Sequence, residues 1–201
     1  AGDDFPQTVF PSIIGKSKYN ANSLIIDKTN YIGEEACSKA GNLFLRNAIE
    51  HGFIHWDLME NIWYHTFFHQ LRVDPTEHPV LLIEPSKNPK NYQISMIEHM
   101  FETFNIPSLY LCDQGYLSLY STGLDTGTVL YIGEGVTHST SFYEGYSLST
   151  IAQKIGGIDV SNFLLKLMNE SGYSFLTGAD KLIIKDIKEK ICYVALNYDE
   201  E

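Results

Sequence analysis

Two kinds of hydrophobic pattern alternate through the middle of the chain. In residues 57–71 apolar side chains such as Leu58 and Ile62 recur at helical period, which predicts a helix that Asp57 caps. Residues 80–83 instead form an unbroken apolar run. Such a run is typical of a strand that is buried on both faces of a parallel sheet.

The alternation continues to residue 120. A second helix is predicted for residues 91–104, a second strand for 108–112 and a third helix for 114–120. Strand, helix, strand, helix is the order of an α/β layer with parallel strands. The pattern therefore predicts the α/β fold class.

The flanking regions follow other patterns. Residues 9–14 are the predicted first strand, and residues 15–30 are polar and interrupted, which predicts a mobile surface excursion. Later in the chain Asp159 is the predicted cap of a helix that ends at Gly172, a residue suited to a left-handed C-terminal cap. A last helix is predicted from about Asp180.

Composition excludes several classes of protein. With 201 residues, 44% hydrophobic and 19% charged, the chain has enough apolar content for a core and is not typical of a disordered protein. Its net charge of −11 repels nucleic acid and anionic lipid. No apolar run approaches the ~20 residues of a membrane-spanning helix. We therefore expect no nucleic-acid partner and no membrane insertion.

The three cysteines, Cys37, Cys112 and Cys192, are odd in number and far apart. This arrangement fits neither a disulfide framework nor a zinc cluster. Reduced, buried thiols in a cytoplasmic protein are the better interpretation.

A glycine-rich link joins two β-rich segments, residues 128–132 and 136–142, and predicts a hairpin. The backbone N–H groups of Gly133-Glu134-Gly135 can bind an anion without a lysine. The Glu134 carboxylate can hold a hydrated Mg²⁺, and His138 can face the same cavity. On local sequence alone an ordinary hairpin is the simpler interpretation, since glycine turns are common between strands.

Other clusters carry weaker signals. His65 and His69 have the spacing of a zinc-binding pair but lack a third ligand, so a structural or surface role is favoured. Cys112 and His138 can form a nucleophile and base, although a small buried cysteine is the simpler interpretation. The charged residues 185–190 are typical of a solvated helix face.

Short segments in order along the whole chain match one known family; they are residues 1–4, 9–13, 49–52, 71–73, 77–79, 100–105, 117–120, 135–138, 143–146 and 186–196. Together these segments resemble actin. The resemblance implies an incomplete actin-like ATPase (ribonuclease H-like) fold that lacks both ends. In that fold two α/β domains hold ATP or ADP with Mg²⁺ or Ca²⁺ in the cleft between them.

The resemblance also divides the chain into parts of the four actin subdomains. Residues 1–11 and 48–121 are similar to part of the first subdomain, and residues 12–47 to the second, which carries a mobile loop. Residues 122–155 are similar to part of the third subdomain, and residues 156–201 to part of the fourth.

The same resemblance assigns roles to individual residues. Gln114 and His138 match the positions that orient and polarise the attacking water. The second phosphate-binding hairpin is matched by Gly133, Glu134, Gly135 and Val136, with Glu134 also facing the metal through water. The ribose and adenine side is matched by Gly157, Lys185, Lys188 and Glu189.

This sequence departs from actin inside the hairpin. Actin reads Asp-Ser-Gly-Asp-Gly, whereas this chain reads Tyr131-Ile132-Gly133-Glu134-Gly135. The aspartate that helps to order metal-bound water is replaced by Tyr131, which has no carboxylate. Since phosphoryl transfer depends on positioned water and metal, we expect ATP hydrolysis to be weak or absent. Lys185 also replaces an arginine.

Three functions are compatible with these residues. The first is an actin-like, ATP-binding cytoskeletal protein of the cytoplasm, whose partners are actin-like protomers or actin-binding proteins. The second is a non-catalytic, actin-related scaffold or interaction subunit. The third is a non-functional fragment of a duplicated actin gene. Whether the chain is an ATPase is left open.

Overall fold

The computed structural model describes residues 5–18 and 30–200. Its strands are β1 (Ile13–Ser17), β2 (Asn30–Ile32), β3 (Leu43–Asn47), β4 (Ile49–Glu50), β5 (Phe53–Ile54), β6 (Val80–Glu84), β7 (Leu109–Asp113), β8 (Gly127–Ile132), β9 (Thr137–Tyr143) and β10 (Tyr146–Gln153). Its α-helices are α1 (Glu34–Ser38), α2 (Trp56–Tyr64), α3 (Lys90–Glu98), α4 (Gln114–Tyr120), α5 (Gly157–Glu170) and α6 (Gly178–Ile191). Short 3₁₀ turns cover Ala40–Asn42 and Pro75–Glu77, and π-helical turns cover His65–Leu71 and His99–Thr103. The segment 1–4 and most of the predicted excursion 15–30 lie outside the described residues.

The described residues divide into two units. The first unit comprises residues 5–12 and 48–156, and the second comprises residues 13–18, 30–47 and 157–200. The assignment of the four ranges to actin subdomains is not tested by this division and stays a prediction.

The first unit contains the predicted parallel pair. β6 pairs with β7 from Val80↔Leu109 to Glu84↔Asp113, and α3 makes the crossover between them. α2 and α3 both continue as π-helical turns, so helical structure extends to Leu71 and Thr103, close to the predicted ends. The α/β prediction is confirmed.

A hydrophobic core joins these helices to the sheet. It is formed by the buried residues Trp63, Phe67, Met96, Met100, Phe104 and Ile106. Leu82 and Leu111 pack against this core from the strands, which fixes the orientation of β6 and β7. Burial of such side chains is the main stabilising contribution, at about 1.5–3 kcal/mol for each large apolar residue.

The prediction that β6 is buried on both faces is wrong. Leu81 is 52% exposed and Ile83 is 57% exposed. Tyr110 on the neighbouring strand is also exposed. Within the described residues the β6–β7 sheet has two strands, and the core packs on the face that carries Leu82. An unbroken run of apolar residues, as in 80–83, is therefore not sufficient to predict that both faces of the strand are buried.

The predicted hairpin forms part of the antiparallel sheet β10–β9–β8 of the same unit. α4 packs on one face of this sheet, because a Cβ on Gly115 would lie 3.2 Å from the ring of Phe142. α4 begins and ends where the sequence predicts, and the Asp113 side chain caps it by accepting from the N–H groups of Gly115 and Tyr116. The sequence pattern does not predict β10, because nearly all of its side chains are exposed and its apolar residues follow no regular alternation.

The second unit is built on the antiparallel sheet β2–β1–β3. Tyr31, Ala36 and Leu43 form its small core. The first strand is predicted at residues 9–14 but begins at Ile13, since Val9 is 80% exposed and in no strand. α5 and α6 pack together in this unit.

Two predicted helix caps are wrong. α2 begins at Trp56 after His55, so Asp57 lies inside the first turn. There its negative charge still interacts favourably with the positive end of the helix dipole. α5 begins at Gly157, which likewise places Asp159 in the first turn. The Gly172 prediction is confirmed, because its φ is 94° and Tyr173 N–H donates to the Met168 carbonyl across the helix end.

The start of α6 carries a reciprocal capping box. Asp180 N–H donates to the Thr177 hydroxyl at 3.2 Å, and the Asp180 carboxylate accepts from the Thr177 N–H at 2.7 Å. A further bond comes from the Leu176 N–H at 2.9 Å. The Thr177 bonds, followed by the Leu176 bond, hold the pKa of Asp180 below its ordinary value.

The capping box predicts a pH dependence of stability. Because the folded state lowers the pKa of Asp180, its contribution is complete above about pH 4 and is lost as the pH falls through the folded pKa. We expect the urea midpoint of Asp180→Asn to depend less on pH across this acidic range than that of the parent chain. Asp199→Asn, near the end of the chain, is the control. Identical pH profiles for the parent and Asp180→Asn would contradict the prediction.

Candidate functional site

The turn between β8 and β9 is the centre of the predicted phosphate site. The strands pair as far as Ile132↔Thr137, and Gly133 N–H donates to the Val136 carbonyl at 3.0 Å. Residues 133–136 thus form a tight turn, and the structure brings these four predicted residues together. Glu134 is exposed at its tip, whereas Gly135 and Val136 are half-buried.

Two backbone segments, at His51 and at Gly156, lie very close to this turn. A Cβ on Gly135 would lie 2.9 Å from both N and Cα of His51, and a Cβ on Gly156 would lie 2.5 Å from the Glu134 carbonyl oxygen. Neither glycine has a positive φ. Lack of space, rather than unusual backbone conformation, therefore requires glycine at both positions.

The His51–Gly52 segment that supports the turn is itself a tight hairpin. β4 and β5 pair through Glu50↔Phe53, and His51 and Gly52 have φ values of 47° and 80°. Positive φ at both central residues is typical of a type I′ turn. The Gly135 backbone thus lies against a two-residue hairpin turn.

Two backbone donors of the turn have no partner in the part of the chain that the structure describes. The Gly135 and Val136 N–H groups make no hydrogen bond there, whereas the Gly133 N–H is used inside the turn. Successive unpaired N–H groups in a turn form a concavity that suits an anion. The geometry is compatible with the oxygens of a phosphate group.

His138 lies next to this turn on β9. It is 6% exposed, and its Nε2 atom is buried without a hydrogen-bond partner among the residues that the structure describes. The Tyr131 ring stacks on it from β8, with centroids 5.0 Å apart and planes at 29°. A buried polar atom without a partner is rare in folded proteins.

Gln114 is the first residue of α4 and is half-buried. The adjacent Gly115 packs on Phe142, which lies four residues beyond His138 on the same face of β9. Gln114 and His138 therefore belong to packed elements of the same unit. Their side chains are not hydrogen-bonded to each other within the described part of the chain.

The predicted metal position depends on Glu134. Among the described residues, no group of three or more His, Cys, Asp or Glu side chains is placed to hold a metal ion directly. A hydrated Mg²⁺ needs only one or two carboxylates, because it keeps several waters. The exposed position of Glu134 at the tip of this turn fits contact with such an ion through water.

The four predicted residues of the ribose and adenine side lie in the second unit. Lys188 Nζ donates to the Gly157 carbonyl at 2.9 Å, which joins α6 to the first residue of α5. Lys185 and Glu189 form an i,i+4 ion pair at 4.0 Å on the same helix. The charge pattern of α6 predicts a fully solvated face. Lys188 is instead half-buried, so the side of α6 that carries it is only partly exposed to solvent.

The remaining candidates have structural surroundings. The rings of His65 and His69 lie 5.4 Å apart, and His65 Nε2 is hydrogen-bonded to the Gln70 side chain. Cys112 is buried, and burial, followed by the Asp113 charge, raises the pKa of its thiol. A raised pKa favours the neutral thiol over the nucleophilic thiolate.

Two features of the site are not evident from the sequence pattern: the role of Gly156 and the Tyr131–His138 stack. The Gly156-Gly157 pair is a local signal for close backbone approach, but it does not identify Glu134 as the neighbour. The stack depends on the register Tyr131↔His138, which follows only once the turn length is known.

A comparison with protein families matches the chain over its whole length. The family model described as Actin matches residues 1–201. Within residues 5–18 and 30–200, no helix is long and apolar enough to cross a bilayer.

Proposed function

Because the chain belongs to the actin family, we propose that it binds ATP or ADP together with Mg²⁺ or Ca²⁺. The observation that carries the proposal is the β8–β9 turn, where the N–H groups of Gly135 and Val136 have no partner among the described residues and are closely supported by backbone. Phosphate oxygens are the ligand that such donors suit best.

The phosphate groups contact the first unit in this proposal. Gly135 and Val136 donate to phosphate, and the absence of a side chain at Gly135 leaves the turn in place on His51. Hydrogen bonds to a charged acceptor contribute about 1.5–3 kcal/mol each.

The second unit contributes Gly157, Lys185, Lys188 and Glu189 to the ribose and adenine side. A lysine ammonium has three donors, and Lys188 uses one of them on the Gly157 carbonyl. Its other donors and its charge remain for the nucleotide. Lys185, which replaces an arginine, offers a point charge rather than a planar, bidentate group.

The metal ion, when bound, neutralises phosphate charge and fixes the orientation of the phosphates. Glu134 would hold this ion through water, in keeping with its exposed position at the tip of the turn. Gln114 and His138 occupy the positions that would orient and polarise an attacking water, while Tyr131 offers no carboxylate to order metal-bound water. Hydrolysis is therefore weak or absent, and nucleotide binding is the main activity.

The family assignment supports a cytoskeletal role in the cytoplasm. We place residues 1–11 and 48–121 in part of the first actin subdomain, 12–47 in the second, 122–155 in part of the third and 156–201 in part of the fourth. The partners in this proposal are actin-like protomers or actin-binding proteins.

A scaffold role is the second candidate. Leu130, Ile132 and Ile151 are exposed apolar residues of β8 and β10, and the pairing of these strands through β9 places Leu130 and Ile151 on one face. Exposed apolar patches are typical of interaction surfaces. This role does not require nucleotide hydrolysis.

Calorimetric titration of the chain with ATP tests the proposal. We expect saturable binding that Mg²⁺ or Ca²⁺ strengthens. Glu134→Gln is expected to lose about 0.5–1.5 kcal/mol of the metal-dependent part, the scale of one hydrogen bond, and to keep metal-free binding. Glu102→Gln, at another exposed glutamate of the first unit, is the matched control. Absence of binding at millimolar ATP with either metal would overturn the proposal.

A further inference from the structure

Tyr131 and His138 are stacked cross-strand neighbours beside the turn that we assign to phosphate. They face each other across β8 and β9, with their rings stacked at 5.0 Å. His138 is 6% exposed, and within the described part of the chain its Nε2 is buried without a hydrogen-bond partner. Its burial keeps this imidazole nitrogen away from bulk water.

The Tyr131 ring also lies close to the turn. A Cβ on Gly133 would lie 2.6 Å from Tyr131 Cε1, so the ring occupies the space that a side chain at Gly133 would need. The ring therefore packs against both His138 and Gly133. The first residue of the turn that we assign to phosphate therefore lies beside the ring.

This packing has a consequence for water near His138. A buried water molecule needs two to four polar partners and space of its own size. The Tyr131 ring in contact with the imidazole occupies that space and offers no polar partner from its face. Loss of a carboxylate and cover by a ring are separate effects of having tyrosine here, and they can be separated by substitution.

We propose that Tyr131 is a positioning residue that covers His138 and excludes water from it, so that bound nucleoside triphosphate is retained without hydrolysis. Retention of the nucleotide rests on the proposed function. The cover on His138 concerns only the chain itself and can be tested without nucleotide.

The first experiment measures the rate at which diethyl pyrocarbonate modifies His138 in the nucleotide-free, full chain. Peptide mass spectrometry reads each histidine, and the exposed His78 is the internal reference. We expect Tyr131→Ala to raise the His138 rate several-fold, and Tyr131→Phe to match the parent because it keeps the ring. Leu130→Ala, at the exposed neighbouring position on β8, is the matched control and is expected to change nothing.

The modification rates decide whether the ring covers His138. An unchanged rate in Tyr131→Ala would overturn the proposal. If Tyr131→Ala does not fold, as judged by far-UV circular dichroism, Tyr131→Phe alone decides, because a large rise in its rate would show that the ring gives no protection. Parent-like protection in Tyr131→Phe supports the proposal.

The second experiment measures ATP affinity and single-turnover phosphate release on the same variants. We expect Tyr131→Ala to release phosphate faster than Tyr131→Phe, with similar affinity for ATP in both. Equal, slow release from a variant whose His138 is exposed would overturn the retention step. If no variant binds ATP while the modification pattern holds, the proposed function fails and the cover on His138 stands.

Discussion

Replacing Gly135 with alanine is expected to lower the affinity for ATP by about 10–150-fold. The new Cβ would lie 2.9 Å from the His51 backbone, so the turn must move, and the N–H groups of Gly135 and Val136 move with it. Loss of one hydrogen bond to a charged phosphate costs about 1.5–3 kcal/mol, which corresponds to that range of affinity. Calorimetric titration of both chains with Mg·ATP measures the change.

The same substitution is expected to lower the free energy of unfolding by about 1–3 kcal/mol, the usual cost of overpacking. Urea titration separates this loss of stability from the loss of binding. Gly41→Ala is the control, because a Cβ there would meet no described atom within 4 Å and the φ of Gly41 is not positive. ATP affinity in Gly135→Ala equal to that of Gly41→Ala would contradict the role of the turn.

Replacing Lys188 with alanine is expected to weaken ATP binding by about 1–3 kcal/mol, the scale of a charge-assisted contact. The side chain supplies a positive charge and also holds the Gly157 carbonyl at 2.9 Å, so both the contact and the start of α5 change. Equilibrium titration with ATP at fixed Mg²⁺ measures the loss.

Lys190→Ala is the matched control on the same helix. Lys190 is exposed and pairs with Asp186 at 2.8 Å, so its removal subtracts the same charge from α6 without touching Gly157. Repeating the titrations at higher salt reduces the general effect of charge. Equal losses in the two variants would show that only the overall charge matters and that Lys188 has no specific contact.

Periodicity is sufficient to predict the elements that bury one clear face. The helix over α2 and its π-helical extension follows from the spacing of residues such as Ile62 and Phe67, both of which are buried. The bounds of α4 are predicted correctly, because it lies between a strand and a polar turn. The hairpin β8–β9 follows from two β-rich segments and a short glycine link.

Burial of the second face of a strand could not be predicted. Leu81 and Ile83 have the same chemical character as Leu82, yet they are exposed, because burial depends on what packs on each face. The same reason applies to β10, whose exposed side chains leave no hydrophobic pattern. Its pairing with β9 depends on backbone hydrogen bonds, to which sequence patterns are nearly insensitive.

The candidate site divides in a similar way. Residue type alone predicts the glycine-containing turn as an ordinary hairpin and the lysines of α6 as a solvated face, and their assignment to a nucleotide comes from the resemblance to actin. Tyr131 is also identified there as a departure, but as a lost carboxylate. The stacking of Tyr131 on His138 requires knowledge of cross-strand register, and the support of Glu134 by Gly156 requires the path of the chain between remote segments.

Hydrogen–deuterium exchange with and without Mg·ATP reads the backbone amides that we assign to phosphate. We expect ATP to slow exchange in a peptide containing Gly135 and Val136 and also in one containing Lys185 to Glu189, with both effects saturating at the same ATP concentration. A peptide over Tyr146–Gln153 in β10 provides the unaffected reference. Unchanged exchange at Gly135 and Val136 under saturating Mg·ATP would contradict nucleotide binding at the β8–β9 turn.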